Sequence, residues 1–487
     1  MSERRECVRP ANFLFLLSDQ HSRDALGCYG SPVVRTPHLD ALAAQGTKFT
    51  AAYSSCPLCV PVRASMATGR YVHEIGYWDN AFPYDGVVPS WHHRLHEQGY
   101  RVDSIGKLHF SGPGNDHGFS QELNPLHVVD GVGDILGCLR DNGPVRLKRS
   151  GITDAGPGDS TYLDYDRCNA DAGVAWLDRH KEDDKPWALF LSFVCPHPPY
   201  ISPPEHFEHY AELDLPMPPQ WREENWPDHP AINHFRRFFD FHPQFEETEI
   251  RCMLAAYYGA CSHLDNQIGR VLDHLEALGL TDRTRIIYSS DHGEHRGARG
   301  VYGKFTLYEE SVGVPMIMAG PDVPEATVRK TPVSLIDIYP TALECVGAES
   351  DEKDLPGQSL LQLTAEPDRD RTVFSEYHAL GQQHGSYMLR DRRYKYNHYV
   401  GLPPQLFDLE IDPWELNDLA DSPEHAEVLQ EREWQLRELL NPESVDERAR
   451  ADQRERVARF GGEQAVLERG AFDNSPVPGE DPVFRKH

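Results

Sequence analysis

Short continuous runs of apolar residues alternate along the first two thirds of the chain with segments whose apolar residues recur at helical spacing. A run of four to eight apolar residues is typical of a strand that is buried on both faces. Such runs predict parallel strands at residues 12–18, 101–105, 187–194, 285–288 and 314–318, and helical spacing predicts helices at 37–45, 63–68 and 250–278. Strands that alternate with helices predict an α/β sandwich around a mostly parallel central sheet.

The pattern changes near residue 367. Residues 373–374, 387–389, 393–396 and 405–409 predict short strands of an antiparallel sheet, and residues 426–440 and 447–460 predict helices. We therefore expect a large α/β domain over 1–366 and a smaller α+β domain over 367–487. Its Pro/Gly-rich end either wraps over a neighbour or is partly mobile. The long connections 145–184 and 201–245 are expected to form pocket walls, as long connections in α/β folds often do.

Composition narrows the classes of partner and compartment. The formal net charge of −29 disfavours binding to nucleic acid or to an anionic membrane surface. No apolar run is long enough to span a bilayer, and the N-terminal apolar segment is too short for a secretory signal. Ten cysteines without regular spacing predict a reducing, cytoplasmic location. A site for an anion must then be built locally from cations, a metal or helix N-termini.

Polar residues with catalytic chemistry follow four of the predicted strands. In an open α/β sheet, ligands bind beyond the carboxyl ends of the strands. Four strands therefore deliver acids, imidazoles and a lysine to one edge of the sheet: Asp19 and Gln20, Lys107 and His109, His197, and Asp291 and His292. Singly, the acids could be helix N-caps, the lysine a surface charge and His197 a loop residue. Their coincidence at one edge favours a functional site.

A second signal is Cys59-Val60-Pro61-Val62-Arg63, which leads into the helix predicted at 63–68. A lone cysteine is usually a small buried apolar residue. Cys56 and Cys59 also form a Cys-x-x-Cys pair, which could be redox-active or half of a zinc site. The zinc interpretation lacks a second ligand pair at short spacing, and the redox interpretation expects a compact thioredoxin-like unit.

Several segments together carry a resemblance to a known family. They are Cys59-x-Pro61-x-Arg63, Gly106-Lys107-Leu108-His109, the Ser-Asp-His-Gly-Glu-His of residues 290–295, residues 303–309 and residues 405–409. On these, the chain resembles the type I, formylglycine-dependent sulfatases of the alkaline-phosphatase-like superfamily. It looks most like the choline-sulfatase and phosphonate monoester hydrolase branch, because Asp291-His292 stands where many animal sulfatases have Asp-Asn.

The resemblance implies a modified nucleophile and a metal. A formylglycine-generating or sulfatase-maturing enzyme would oxidise Cys59 to an aldehyde, whose hydrate attacks the ester and forms a covalent sulfo-enzyme intermediate. One divalent cation, Ca²⁺ or Mn²⁺ with Mg²⁺ as a third candidate, would be bound by Asp19, Gln20, Cys59, Asp291 and His292. Gln20 stands where many sulfatases have a second aspartate, so it offers an oxygen but no charge.

The resemblance also implies roles for the cationic residues. Arg63 would stabilise the hydrated aldehyde, and Lys107 and Lys304 would hold substrate oxygens. His109 would be the base that releases the covalent intermediate. His197 or Lys304 would protonate the leaving alcohol while contacting the substrate.

Less direct signals add two substrate-binding candidates. Trp78 and Asn80 follow the signature helix and could line the pocket, although core packing is an equal interpretation of the aromatic residue. His73, His117 and His295 are possible supporting groups around the site.

The leading hypothesis is hydrolysis of a small-molecule sulfate monoester. The alternative is a phosphonate monoester or phosphodiester hydrolase with the same nucleophile, because these esters are also tetrahedral and singly charged. A non-catalytic sulfatase-like binding protein with unconverted Cys59 is a third hypothesis. A homo-oligomer is compatible with the charged C-terminal tail, and neither a nucleic acid nor a membrane is an expected partner.

Overall fold

The fold is built around one large sheet in a computed structural model that describes residues 9–141, 143–350 and 352–485. The strands are, in chain order, β1 (Asn12–Asp19), β2 (Gly46–Phe49), β3 (Ala52–Tyr53), β4 (Arg101–Lys107), β5 (Gln121–Leu126), β6 (Gly156–Pro157), β7 (Trp187–Pro196), β8 (Ile201–Ser202), β9 (Thr284–Ser290), β10 (Met316–Ala319), β11 (Thr327–Arg329), β12 (Val333–Ser334), β13 (Val373–Tyr377), β14 (Ser386–Arg390), β15 (Tyr394–Tyr399) and β16 (Leu402–Asp408).

Eight strands form the central sheet in the order β11-β2-β10-β9-β1-β7-β4-β5. The neighbours of β1 and of β4 all run parallel to them, which confirms the predicted mostly parallel sheet. The prediction of a parallel strand at 314–318 was wrong. β10 lies there, and it pairs antiparallel with both β9 and β2. A short apolar run signals burial on both faces but carries no information about direction.

Helices cover both faces of this sheet, as the sandwich architecture requires. They are α1 (Pro37–Ala44), α2 (Cys59–Thr68), α3 (Val72–Ile75), α4 (Trp91–Glu97), α5 (Arg149–Thr153), α6 (Thr161–His180), α7 (Pro204–Ala211), α8 (Pro230–Phe238), α9 (Glu247–Ala277), α10 (Glu309–Val312), α11 (Ile338–Val346), α12 (Leu360–Ala365), α13 (Ala426–Leu439), α14 (Pro442–Phe460) and α15 (Glu463–Arg469).

Side-chain alternation along β1 shows how the two faces are filled. Phe13, Phe15 and Leu17 pack into one buried cluster with residues of α2, α4 and α11. Leu14 and Leu16 pack into the opposite cluster with residues of α1, α6 and α9. Full burial of each such side chain contributes about 1.5–3 kcal/mol. Because β1 is apolar at all five of these positions, it is stable only between two helical layers.

The C-terminal part contains the predicted antiparallel sheet, with strand order β13-β14-β15-β16. Helices α13 and α14 follow it and agree with the predicted segments. Buried residues of this sheet, such as Phe374 and Leu406, belong to the same apolar cluster as Phe13 of β1. The division at 366/367 stays a prediction.

Two expectations about connections were tested by the structure. The 145–184 connection contains the 20-residue helix α6, so it is less irregular than its sequence suggested. Both it and the 201–245 connection supply walls of the main cavity, as expected. Among the described residues, no helix has the length and apolar character needed to cross a membrane.

Candidate active site

The carboxyl ends of β1, β4, β7 and β9 meet the N-terminus of α2 at a cavity of about 400 Å³. Parallel strands of one sheet end at the same edge, so the side chains that follow them converge. The predicted residues that line this cavity are Gln20, Cys59, Asn80, Lys107, His109, His197 and Lys304. Asp19, Arg63, Asp291 and His292 lie fully buried beneath them.

Two of these residues have a left-handed backbone. Gln20 has a φ of 69° and His109 a φ of 56°, each just after the end of its strand. Such a conformation costs a residue other than glycine about 1–3 kcal/mol and is retained mainly where the surrounding structure requires it. Both residues turn the chain at the edge of the sheet, so the unfavourable geometry coincides with the cavity.

The carboxylates of Asp19 and Asp291 each present one oxygen to cations and the other to the centre of the site. Arg63 Nε donates to Asp291 Oδ2 at 2.9 Å, and Lys107 Nζ lies 2.5 Å from Asp19 Oδ2. The Oδ1 atoms of both carboxylates instead face His292 Nε2, at 3.7 Å from Asp19 and 3.5 Å from Asp291. Arg63 and Lys107 therefore orient the carboxylates.

Cys59 is the first residue of α2, where the helix N-terminus favours negative charge. Its Sγ lies 2.7 Å from Lys304 Nζ, 3.2 Å from His292 Nε2 and 3.9 Å from Asp19 Oδ1. Burial, together with the charge of Asp19, raises the pKa of the Cys59 thiol. An unmodified Cys59 is therefore a protonated thiol and a poor nucleophile. Cys56 and Cys59 are free thiols rather than a disulfide.

The donor set at the centre fits a divalent cation. One ligand atom each from Asp19, Cys59, Asp291 and His292 lies within 4.8 Å of the other three. The Oε1 atom of Gln20 is buried and has no hydrogen-bond partner in the described parts of the chain. A buried amide oxygen without a partner is costly unless it binds a ligand.

Glu294 sets the orientation of that amide. Gln20 Nε2 donates to Glu294 Oε2, which leaves Oε1 as the free end of the side chain. Carboxylates, an amide oxygen and an imidazole together suit a hard or borderline cation such as Ca²⁺, Mg²⁺ or Mn²⁺. Glu294 lies in the Ser-Asp-His-Gly-Glu-His segment, but its role was not predicted from the sequence.

Electrostatics distinguish the two carboxyls. Burial raises the pKa of Asp19, but Lys107 and Lys304 outweigh burial and hold it well below the usual range. For Asp291, burial and the charge of Asp19 raise the pKa to about 6. Repulsion between two buried carboxylates is a cost that a cation between them removes.

The groups on the open side of the cavity differ in protonation. Burial and Lys304 hold the pKa of His197 well below its usual range, and burial and Lys107 do the same for His109. Burial lowers the pKa of Lys304, but Cys59 and Asp19 outweigh it and raise the pKa. Both imidazoles are therefore neutral near pH 7, and Lys304 carries a proton.

The C-terminal tail contributes a residue that sequence reasoning missed. Ser475 Oγ lies 3.1 Å from His109 Nε2, and the Tyr162 hydroxyl donates to the Ser475 carbonyl at 2.6 Å. Phe472 and Asp473 of the same segment line the cavity. The Pro/Gly-rich end thus packs over the site of its own chain. No local sequence signal links residue 475 to a histidine 366 positions earlier.

We expect Ser475→Ala to lower kcat about five- to tenfold, because loss of one hydrogen bond of about 1 kcal/mol loosens the His109 ring. Steady-state kinetics with a nitrophenyl sulfate measures this. Ser475→Thr keeps the hydroxyl and serves as the control, which should retain most of the activity. Equal kcat values for the alanine variant and the parent would show that the contact does not matter to turnover.

The two remaining substrate-binding candidates separate. Asn80 lines the cavity, and its Oδ1 accepts from the Val60 backbone amide at 3.3 Å. Trp78 is fully buried, and its Nε1 donates to Asp452 at 2.7 Å. Trp78 also packs edge-on against His378. The structure therefore places Trp78 in the core and not in the cavity, which corrects its assignment as a substrate-binding residue.

Other candidate supporting residues occupy separate networks. His73 pairs with Glu376 at 2.9 Å, and His295 Nε2 lies 2.6 Å from the Thr306 hydroxyl. Glu309 binds Arg23 and Lys395, as a structural partner of cations would. His73, His295 and Glu309 are not among the residues that line the cavity, so they support neighbouring elements.

The outer cavity combines aromatic rings with neutralised cations. Phe239 and Phe305 stack at 5.0 Å between ring centroids, and Phe241 and Tyr302 lie beside them. The lining cations Arg146 and Lys148 are each paired with an aspartate. The outer wall of the cavity is thus partly aromatic, and Arg146 and Lys148 each carry a counter-charge.

Comparisons with known proteins agree with this geometry. The family model described as "Sulfatase" matches residues 11–348, and the one described as "N-sulphoglucosamine sulphohydrolase, C-terminal" matches 293–442. Arylsulfatase K of Rattus norvegicus is 30% identical over 490 residues, covering 96% of this chain and 83% of the relative. Choline-sulfatase of Rhizobium meliloti (strain 1021) is 30% identical over 431 residues, covering 85% and 83%.

Among solved structures, the phosphonate monoester hydrolase from Silicibacter pomeroyi superposes with a TM-score of 0.71. It is 26% identical, and the alignment covers 88% of this chain and 94% of that chain. A superposition over most of both chains shows that the two proteins share their fold.

Proposed function

The chain belongs to the sulfatase family, type I, of the alkaline-phosphatase-like superfamily, and we propose that this sulfuric ester hydrolase uses a formylglycine made from Cys59 to cleave sulfate monoesters through a covalent sulfo-enzyme intermediate. One observation carries the proposal. Residue 59 stands at a helix N-terminus, 2.7 Å from Lys304 Nζ and among four converging metal donors. In the proposed enzyme, an oxygen atom of the hydrated aldehyde would lie close to the position of Sγ in this structure.

Asp19, Gln20, Asp291 and His292 would hold one divalent cation together with residue 59. When bound, such a cation supplies Lewis-acid stabilisation of negative charge on the nucleophile at neutral pH. Arg63 holds Asp291 and Asp19 in place at 2.9 and 3.5 Å, so its main contribution here is to position the carboxylates. The position of Arg63 supports a role in holding the carboxylates beneath the nucleophile, in addition to stabilising the hydrated aldehyde.

Lys107 and Lys304 bind the oxygens of the ester group as its charge rearranges. Lys304 or His197 protonates the leaving alcohol, and neutral His109 accepts the proton when the covalent intermediate collapses. Lys304 carries a proton in the site, whereas His197 is neutral and accepts one before it can donate. Lys304 and His197 are therefore both candidates for the general acid.

Removal of the general acid should matter most for poor leaving groups, because charge then builds on the leaving oxygen. We expect His197→Ala or Lys304→Ala to slow an alkyl sulfate about 10²–10⁴-fold and a nitrophenyl sulfate much less. Rates for esters of graded leaving-group pKa measure this. His109→Ala is the control, since its defect should vary little with the leaving group. An unchanged dependence in both the His197 and the Lys304 variants would refute the assignment.

A phosphonate monoester or phosphodiester hydrolase with the same nucleophile is the second candidate. The similarity to the Silicibacter pomeroyi enzyme over 88% of the chain favours it. Paired nitrophenyl sulfate and phenylphosphonate esters separate the two functions. A kcat/KM at least tenfold higher for the sulfate supports the leading proposal, and the reverse ratio supports the second candidate.

Three further proposals concern the maturing enzyme, the cellular compartment and self-association of the chain. A formylglycine-generating or sulfatase-maturing enzyme is the required partner, because conversion of Cys59 needs an external oxidant. The free thiols of the described cysteines support a reducing, cytoplasmic location. Self-association through the charged C-terminal helices stays a prediction, to be tested by light scattering.

A further inference from the structure

A second cluster of metal-ligand side chains lies outside the cavity, at the edge of the central sheet. His117, Glu122 and His127 are spaced His-x4-Glu-x4-His on and beside the edge strand β5. One ligand atom of each lies within 4.8 Å of the others. His117 Nδ1 is 2.8 Å from Glu122 Oε1, and His127 Nε2 is 3.3 Å from Glu122 Oε2. Each Glu122 oxygen therefore faces a different imidazole.

His127 differs from His117 in its hydrogen bonding. Its side chain is 11% exposed, yet neither ring nitrogen makes a hydrogen bond within the described residues. His127 Nε2 lies 3.3 Å from Glu122 Oε2, but the N–H bond does not point towards that oxygen as a hydrogen bond requires. In a metal site the ring lone pair points to the ion while neighbouring ligand atoms lie about 3 Å to the side.

The other histidine has the support that metal-binding imidazoles usually have. His117 Nε2 lies 3.4 Å from Ser111 Oγ, so its second nitrogen has a partner while Nδ1 faces the cluster. Glu122 turns one carboxylate oxygen to each imidazole, so the cluster offers two ring nitrogens and two carboxylate oxygens to one point.

We propose that His117, Glu122 and His127 form a second metal site that binds Zn²⁺. Two imidazoles and one carboxylate form a common protein ligand set for zinc, with water in the fourth position. The partial exposure of Glu122, 19% of its side chain, leaves room for that water and for entry of the ion. A hard cation such as Ca²⁺ would be disfavoured, because it requires more oxygen ligands.

The site is linked to the catalytic edge through the backbone. His109 donates its backbone N–H to Leu126 O at 2.8 Å, and Val128 donates to Phe110 O at 3.0 Å. Residue 127 lies between these two bonds. An ion that joins His117 to His127 would brace the segment that carries His109, so zinc here acts as a structural support and not as a reactant.

Zinc counting tests the proposal. The full chain is stripped with a chelator, dialysed against micromolar Zn²⁺ and analysed for zinc per folded chain. Glu122→Gln and His127→Gln should each lose one zinc relative to the parent. His180→Gln is the matched control, because His180 pairs with Asp183 at 2.9 Å and no third ligand side chain joins them in the described parts of the chain. The control should keep the parent stoichiometry.

Thermal unfolding gives a readout that does not depend on activity. Zn²⁺ should raise the Tm of the stripped parent and of His180→Gln more than that of the two test variants. Equal zinc content in the parent and both test variants would overturn the proposal, and so would an equal loss in the control. If one test variant fails to fold, the other variant is used together with the visible spectrum of the Co²⁺-loaded parent. A parent whose imidazole-type Co²⁺ absorption corresponds to only one site would refute the second metal site. Neither result depends on whether the catalytic proposal holds.

Discussion

Cys59→Ala should abolish sulfate ester hydrolysis, with kcat at least about a thousandfold below that of the parent, because alanine cannot be converted to the proposed formylglycine, whose hydrate supplies the attacking oxygen. The fold should remain, since alanine is accepted at the start of a helix and the substitution removes only Sγ from a buried position. Initial rates on a nitrophenyl sulfate, with circular dichroism as a check on folding, measure both parts of this result.

Cys56→Ala is the matched control for that variant. Cys56 is also buried and belongs to the same Cys-x-x-Cys pair, but it precedes α2 and does not line the cavity. It should retain activity within about tenfold. Mass spectrometry of the peptide that contains residue 59 should show loss of sulfur and two hydrogens and gain of oxygen. A fully active parent with only the thiol at residue 59 would exclude the formylglycine mechanism. An inactive parent with only the thiol would instead favour the non-catalytic binding protein.

Asp291→Asn should remove most of the catalytic cation and lower kcat/KM at least about a hundredfold. The Oδ1 atom of Asp291 faces His292 Nε2, while its Oδ2 accepts from Arg63. Asparagine keeps the shape and one oxygen but loses the charge, so the donor set binds a hard cation less tightly. Metal content per chain, measured after dialysis against Ca²⁺ or Mn²⁺, gives a result that is independent of turnover.

Asp166→Asn provides the control for charge removal near the same edge of the sheet. Asp166 is fully buried and accepts from the backbone amides of Val194 and Cys195 at 2.8 Å. It is not one of the four residues of the donor cluster. Its replacement should leave the metal content unchanged. Parent-level metal in both Asp291→Asn and Asp19→Asn would place the ion elsewhere and refute this site.

The sequence by itself identified the strands that carry the site and most of the polar residues that follow them. Asp19, Lys107 and Asp291 could be predicted because a fully buried strand needs a continuous apolar run, and a polar residue at its end marks where the sheet stops. Parallel strands end at one edge, so their convergence followed from the pattern alone. The chemistry came from the resemblance of the Cys59-x-Pro61-x-Arg63 motif to a known family, and such a short motif is a local property of the sequence.

Tertiary structure decided the direction of β10, the burial of Trp78 and the contributions of Glu294 and Ser475. A short apolar run has the same pattern in a parallel and an antiparallel strand, and an aromatic residue is compatible with either a core or a cavity. Ser475 reaches His109 only because the tail folds back over the sheet edge. Local periodicity records which residues are buried, whereas long-range packing determines which partners they meet, and packing is a property of the whole chain.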